Sequence, residues 1–168
     1  FNYAAQEGYI DISPMVHMET IGRSKPKQRY LSESEIKIFL DSLSAANMAQ
    51  DTSRVLEIIL RTGQRPSEVA GAHKKEFSGD WWTIPATRTK NSRKHLIFIT
   101  SKVKELFGIE NDKGLFFPSK DPEKPLNHLV MSKALRRSLT GKEKKKGDDV
   151  TIPIDPFTPH DLRRTCSN

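Results

Sequence analysis

A chain of 168 residues is long enough for one complete domain with a hydrophobic core and too short for two, so we expect one domain and a fragment of another. Its 28 lysines and arginines against 21 acidic residues give a formal net charge of +7, which favours a polyanionic partner such as nucleic acid or an acidic membrane surface. A single cysteine excludes an internal disulfide, the five histidines lack zinc-site spacing and no apolar run approaches a membrane span, so we expect a cytoplasmic protein without a structural metal.

The first 29 residues have the composition of a helix end followed by a linker. Phe1 to Gly8 fits the last turns of a helix that a glycine terminates. Residues 22–29 contain four cations, no acid, a glycine and a proline, which is typical of an exposed basic linker. We therefore predict a boundary after residue 29 and a main domain at residues 30–168.

Helices are expected at the start of this main domain. Ser32 and Glu35 have the spacing of a capping box, and the apolar residues that follow recur at helical spacing. A second helix, from about residue 51 to 62, is apolar on more than one face, which predicts a central place in the core. Gly63 suits the end of that helix, and Pro66 suits the first position of a short third one.

After residue 70 the sequence has the pattern of strands. Three short runs separated by turns predict a small antiparallel sheet, at residues 76–77, 81–85 and 95–99. Helices are expected again at 101–107 and at 126–139, where four apolar residues should face the core: Leu129, Val130, Ala134 and Leu135. We therefore predict an α+β fold that is mainly helical, with a sheet of about three strands beside the helices.

The last predicted helix has a strong start signal. Thr158 can cap it, Pro159 suits its first position, and Asp161 meets the positive end of the helix dipole. A charged loop, expected to be mobile, precedes it at residues 140–149. The sequence ends soon after this start, at Asn168, so we expect a C-terminally truncated domain.

Arg65 is the first candidate functional residue, because it lies between a helix-ending glycine and a helix-starting proline. Its guanidinium would project near a helix N-terminus, where a phosphate group is favoured. A simple ion pair with Glu68 is the commoner explanation when this motif is taken alone.

The turn between the last two predicted strands is the second candidate. It has no acidic residue, and its four cations would lie at one edge of the sheet: Arg88, Lys90, Arg93 and Lys94. A turn that follows a phosphate backbone would have this composition, but an ordinary solvated turn has it more often.

The start of the last helix is the third candidate. His160 and Arg163 are three residues apart, so they share one helix face in a first turn where the dipole favours an anion. A surface pair in which Arg163 or Arg164 binds local carboxylates is an equally good interpretation of this motif alone.

Taken together, the three motifs resemble those of the tyrosine recombinase, or phage integrase, family, in particular its prophage-integrase branch. The resemblance rests on the order of the motifs Gly-Gln-Arg-Pro-Ser-Glu (63–68), Arg-Thr-Lys-Asn (88–91) and His-Asp-Leu-Arg-Arg (160–164). It covers nearly the whole chain, with residues 1–29 similar to the tail of a core-binding domain and a linker, and residues 30–168 similar to the catalytic domain.

The resemblance implies a role for each motif in DNA strand exchange. Arg65 and Arg163 would bind the nonbridging oxygens of the scissile phosphate, because arginine stays charged and can hold two oxygens at once. Lys90 would be the general acid for the leaving 5′-oxygen, His160 would assist proton transfer or phosphate binding, and Glu68 would orient Arg65. Further DNA contacts are expected from Arg88, Arg93, Lys94, His95 and Arg164. Neither a metal nor a nucleotide cofactor is implied.

The tyrosine nucleophile of the family has no counterpart at the matching place. The only tyrosines are Tyr3, Tyr9 and Tyr30, all of which precede Arg65. We therefore expect these 168 residues to bind DNA without cleaving it, and the full-length product to be the active enzyme.

Partners and alternatives follow from the same comparison. The expected partner is double-stranded DNA, on which the full-length protein would be a tetramer and this fragment a monomer. A noncatalytic DNA-binding or regulatory protein on the same fold is the main alternative. A basic RNA-binding protein is a weaker one, because the Trp81-Trp82 pair is expected to pack on the core rather than stack on bases.

Overall fold

The computed structural model describes residues 1–18, 29–46, 48–108, 114–140 and 152–168. Residues 22–28 of the predicted basic linker and residues 141–149 of the predicted charged loop lie outside these residues, whereas Thr140, predicted in the loop, belongs to a helix. The boundary between the two predicted domains therefore stays a prediction.

Seven α-helices, three strands and two short 3-10 helices, Lys74–Glu76 and Ala86–Arg88, lie in the described part of the chain. The helices are α1 (Asn2–Gln6), α2 (Glu33–Leu43), α3 (Gln50–Thr62), α4 (Pro66–Ala70), α5 (Ser101–Phe107), α6 (His128–Thr140) and α7 (Pro159–Ser167). The strands are β1 (Phe77–Ser78), β2 (Trp81–Ile84) and β3 (His95–Phe98). This order confirms the predicted α+β fold with a small antiparallel sheet.

Helix α3 lies at the centre of the core. Its residues Val55, Ile58 and Ile59 have no exposed surface, and α7, α4, α5 and α6 all pack against it. Gly63 ends the helix in the left-handed conformation, at φ 64°, and its N–H donates to the carbonyl of Ile59. A residue with a Cβ adopts this conformation at a cost, so glycine is well suited to the turn that leads from α3 to Arg65.

The beginning of the main domain is fastened to the last helix. The capping box of α2 forms as predicted: Ser32 Oγ accepts the N–H of Glu35, and Glu35 accepts the N–H of Ser32. Arg29 donates to both oxygens of Glu35, and these bonds lower the pKa of Glu35 to about 2. The N–H of Leu31 donates to Thr165 Oγ1 on α7, at 2.9 Å.

The sheet has the order β1-β2-β3 and buries one face. Trp82 lies opposite Ile97 in the antiparallel register and is fully buried against the aromatic ring of Phe77. Trp81, next to it in sequence, is half-exposed on the other face beside Phe98. The expectation that both tryptophans pack on the core is therefore wrong for Trp81, because neighbouring residues of a strand face opposite sides.

Helix α6 packs with a different face from the one predicted. Ala134 and Leu135 are buried as expected, together with Met131, but Leu129 and Val130 are about half-exposed. These two residues belong to the first turn, where Asn127 Oδ1 accepts the N–H of Leu129. The prediction failed there because an apolar residue in a first turn has helical spacing whether or not the core reaches that turn.

Replacing Leu162 by alanine tests the packing of α7 on α3. Leu162 is fully buried, so Leu162→Ala should lower the free energy of unfolding by about 2–5 kcal/mol through lost apolar contacts and a residual cavity. The same change at the exposed Leu96 should cost no more than about 0.5 kcal/mol. Urea denaturation measures both, and equal losses would contradict the packing described here.

Candidate functional site

Arg65 is held at the first turn of α4 by Glu68. The Glu68 carboxylate accepts the Arg65 backbone N–H through Oε2, at 2.9 Å, and Nη1 of its guanidinium through Oε1, at 2.8 Å. Glu68 is almost fully buried, whereas about a third of the Arg65 side chain is exposed. The ion pair therefore leaves part of the guanidinium available to a ligand.

The connection between β2 and β3 is closed by Thr89. Its hydroxyl accepts the N–H of Arg93 at 3.0 Å and lies 2.8 Å from the Arg93 carbonyl oxygen, to which it donates. The loop 89–94 is thus a compact turn, and Ser92 within it adopts a positive φ of 49°. Lys90, Arg93 and Lys94 are exposed on this turn.

Arg163 approaches the same region from α7. Its Nη1 donates to the carbonyl oxygen of Gly63, the residue that ends α3. Because Gly63 precedes Gln64 and Arg65, this bond places the Arg163 guanidinium beside the start of α4. Two arginines that lie almost a hundred residues apart in sequence are thereby brought to one place.

A cleft of about 260 Å³ lies between these three elements. Four cations and one buried acid line it, together with polar side chains: Arg65, Arg93, Lys94, Arg163, Glu68, Gln64, Thr89, Asn91 and His95. Since Glu68 already pairs with Arg65, the net charge facing the cleft is positive. A compact anion with several oxygen acceptors, such as a phosphate group, matches this lining.

The N-terminus of α7 is fixed by a buried acid. Asp161 Oδ2 accepts both the N–H and the hydroxyl of Thr158, and Oδ1 accepts from Arg164. Burial alone would raise the pKa of Asp161, but the hydrogen bonds from Thr158 and Arg164 outweigh it and lower the pKa. The predicted helix start is therefore confirmed, with Asp161 ionised at neutral pH.

His160 lies beside a cationic cluster formed by Arg163, Arg164 and Arg65. Partial burial of the ring lowers the pKa of His160, and the positive charges of Arg164 and Arg163 lower it further. Arg65 acts in the same direction, whereas the carboxylate of Asp161 opposes the shift. The imidazole is therefore neutral at pH 7 and can accept a proton.

Arg88 points away from the cleft. Its Nε and Nη2 donate to the two carboxylate oxygens of Glu76, each at 2.8 Å, and Nη2 also reaches the carbonyl of Glu68 at 3.2 Å. A separate cavity of about 520 Å³, partly lined by prolines, lies on this side of the guanidinium.

The structure thus gathers most of the residues that the sequence singled out. The cleft lining contains Arg65, Glu68, Arg93, Lys94, His95 and Arg163. Lys90 sits in the turn between two lining residues, His160 lies beside the arginines, and Arg164 is paired with Asp161. Arg88 is outside the cleft lining as well, paired with Glu76.

Three residues that line the cleft were not named as candidates in the sequence analysis, Gln64, Thr89 and Asn91, and neither was Glu76 outside it. Gln64, almost fully buried in the cleft wall, donates from Nε2 to the carbonyl of Thr62. Glu76 is the partner of Arg88. Gln64 belongs to the motif at residues 63–68, so its position next to Arg65 in the sequence was a usable signal. For Glu76, twelve residues from its partner, no local signal exists.

Comparison with protein families decides what kind of domain this is. The model of the phage integrase family matches residues 29–168. The chain belongs to the phage integrase family. A curated relative, prophage integrase IntA of Escherichia coli (strain K12), is 29% identical over 154 residues, covering 83% of this chain and 36% of that protein. The chain therefore spans about a third of the length of this curated relative.

Solved structures of tyrosine recombinases share the fold. The Tn1549 transposon integrase, in complex with a circular intermediate DNA, has a TM-score of 0.65 at 19% identity, over 99% of this chain and 61% of that chain. A lambda integrase dimer bound to a COC′ core site has a TM-score of 0.66 at 17% identity, over 99% and 60%. XerH recombinase bound to difH substrate has a TM-score of 0.63 at 18% identity, over 90% and 45%.

The described residues of this phage integrase domain contain neither a candidate metal centre nor a membrane-spanning helix. Over these ranges no group of three or more histidine, cysteine, aspartate or glutamate side chains could hold a metal ion. None of the helices described for the chain is long and apolar enough to cross a membrane.

The pKa of His160 provides a test of the cationic cluster. Arg164→Ala should raise this pKa, because it removes a positive charge and leaves Asp161 unpaired beside the ring. An NMR titration of the His160 ring signals measures the midpoint. Arg61→Ala removes a charge from the exposed end of α3 and should leave it unchanged. No change with Arg164→Ala would mean that the cluster is not arranged as described.

Proposed function

We propose that this domain belongs to a site-specific DNA recombinase that breaks and rejoins DNA through a 3′-phosphotyrosyl intermediate, for integration or excision of phage or mobile-element DNA. The observation that carries the proposal is the cleft in which Arg65 and Arg163 meet Arg93 and Lys94. Membership of the phage integrase family supports it. So does the similar fold of the Tn1549 transposon integrase in complex with a circular intermediate DNA, of XerH bound to difH substrate and of lambda integrase bound to a COC′ core site.

In the proposed reaction the cleft holds a DNA phosphodiester. A tyrosine hydroxyl attacks phosphorus, the bond to the 5′-oxygen breaks, and the phosphate remains joined to the tyrosine while a 5′-hydroxyl is released. Attack by a 5′-hydroxyl of another strand reverses the step, so no ATP is consumed. Arg65 and Arg163 stabilise the negative charge that the nonbridging oxygens gain in the transition state.

Two proton transfers accompany this exchange. We assign Lys90 as the general acid that protonates the leaving 5′-oxygen, because it is exposed in the turn between two residues that line the cleft, Thr89 and Asn91. His160 is assigned to accept the proton of the attacking hydroxyl or to bind the phosphate. Its lowered pKa supports the first role, since a neutral imidazole is the form that accepts a proton.

The attacking tyrosine is proposed to lie outside these 168 residues. Tyr3, Tyr9 and Tyr30 are all largely exposed, and none of them lines the cleft. The chain alone would then bind DNA without cleaving it. The same observation favours the alternative of a noncatalytic DNA-binding protein on this fold, which would form no covalent adduct.

Contacts to the DNA backbone around the cleft are assigned to the exposed loop 89–94 and its neighbours. Arg93 and Lys94 are the main candidates, with His95 beside them and Arg164 on α7. We propose that the partner is double-stranded DNA in the cytoplasm. The complete protein would act as a tetramer on two duplexes, and the chain alone would be a monomer.

A covalent adduct with DNA would separate the enzyme from the noncatalytic alternative. The complete gene product, incubated with a nicked duplex that traps the intermediate, should yield a protein–DNA adduct that survives denaturing electrophoresis. Arg65→Ala and Arg163→Ala should each reduce its rate of formation by about 10²-fold or more, because each removes a charged donor to the transition state. Full adduct yield from both variants would contradict the assigned roles.

Salt dependence of DNA binding tests the assignment of the loop in the chain itself. The logarithm of the binding constant should fall with the logarithm of salt concentration, with about 0.9 of slope for each phosphate contacted. In the double variant Arg93→Ala, Lys94→Ala the magnitude of this slope should therefore decrease by about 1.8. The control double variant Lys37→Ala, Lys102→Ala removes the same charge away from the cleft lining and should keep the slope. Fluorescence anisotropy measures both, and equal slopes would refute the assignment.

A further inference from the structure

Arg88 is the first element of a network that the proposed reaction does not use. It stands two residues before Lys90, at the end of a single 3-10 turn (Ala86–Arg88) that begins the β2–β3 connection. Three of its hydrogen bonds run inward, two to the carboxylate of Glu76 and one to the carbonyl of Glu68. Arg88 is therefore oriented towards the protein interior rather than towards the cleft.

The partner of Arg88 is itself fixed. Glu76 is almost fully buried, and its Oε2 also accepts the indole N–H of the buried Trp82 at 3.0 Å. A guanidinium that meets a carboxylate with two parallel bonds has one preferred orientation. Glu76 and Trp82 therefore anchor Arg88, and with it the beginning of the loop that carries Lys90.

The third bond of Arg88 connects this anchor to the other side of the cleft. Arg88 Nη2 donates to the backbone carbonyl of Glu68, and the carboxylate of the same residue holds Arg65. The Arg88 side chain thus contacts Glu68, the residue that supports Arg65. The Arg88 backbone leads directly into the loop that carries Lys90.

Gly71 leaves the space that this arrangement needs. A Cβ at position 71 would lie 2.3 Å from Nη1 of Arg88, which is closer than atoms can approach, and 3.2 Å from the carbonyl oxygen of Ser67. The backbone of Gly71, at φ −91° and ψ 13°, is accessible to other residues. Close approach of Arg88 is therefore the main constraint on this position.

We propose that Arg88 is a positioning residue that sets the loop of Lys90 relative to Arg65, and not a DNA contact. The inference rests on the proposed function for the role of Lys90 as general acid. Loss of the Arg88 anchor should misplace the Lys90 ammonium with respect to the leaving 5′-oxygen. Arg65 and Arg163, which bind the phosphate, should stay in place.

A change of leaving group distinguishes this role from a structural one. With a sulfur atom in place of the bridging 5′-oxygen, the leaving thiolate needs no proton, because a thiol is far more acidic than an alcohol. Arg88→Met in the complete gene product should slow adduct formation on ordinary DNA by about 10²-fold, and the sulfur substrate should restore it, as for Lys90→Ala. Arg65→Ala should not be restored.

Gly71→Ala tests the same network with Arg88 and Glu76 both retained. It should reproduce the defect on ordinary DNA and its recovery on the sulfur substrate. In an Arg88→Met background it should add nothing, since the two changes act through one contact. Additive defects, or a defect in either variant that persists on the sulfur substrate, would overturn the proposal. The matched charge control Arg54→Met, on α3, should react at the wild-type rate.

A measurement without catalysis keeps this inference separate from the proposed function. In the chain itself, the N–H groups of Ser92 and Arg93 are bonded to Thr89, and that of Arg65 is bonded to Glu68. Hydrogen exchange at the Ser92 and Arg93 amides should accelerate in Gly71→Ala, while the Arg65 amide and the amides of α2 stay unchanged. Unchanged exchange at both Ser92 and Arg93 would refute positioning by Arg88. Absence of an adduct from the wild-type gene product would instead refute the proposed reaction.

Discussion

Three buried carboxylates in and around the cationic cleft each hold one arginine in a fixed position. Glu68, Glu76 and Asp161 each bind one arginine and accept at least one further hydrogen bond, from a backbone N–H, an indole or a hydroxyl. A buried charge without such partners would be strongly destabilising. Glu68 therefore fixes Arg65 in the cleft, whereas Glu76 and Asp161 fix Arg88 and Arg164 outside its lining.

Local signals predicted the elements that position the site. The Ser32–Glu35 capping box and the start of α7 at Thr158 were confirmed, because a cap depends only on residues within one turn. The orientations of Leu129 and Trp81 were not predictable in the same way. Each depends on how far the core extends, which is a property of the folded chain and not of the spacing of its apolar residues.

Within the candidate site, the sequence indicated which cations matter but not what each one contacts. Arg88 and Lys90 lie in the same short turn, yet one is bonded to Glu76 and the other is exposed. That difference depends on where the 3-10 helix Lys74–Glu76 places the carboxylate of Glu76 and where α4 places the carbonyl of Glu68. The partner of Arg163, the carbonyl of Gly63, could not be identified from sequence because any backbone carbonyl can accept a hydrogen bond.

The bonds that complete the site join distant parts of the chain. Arg163 reaches Gly63 across 100 positions, and Leu31 reaches Thr165 across 134. Contacts of this separation form late, because the loop between them must first be closed at an entropic cost. During synthesis Arg65 and Arg163 can come together only after the ribosome has produced α7. Any function that needs both arginines together therefore cannot arise before α7 has folded against α3.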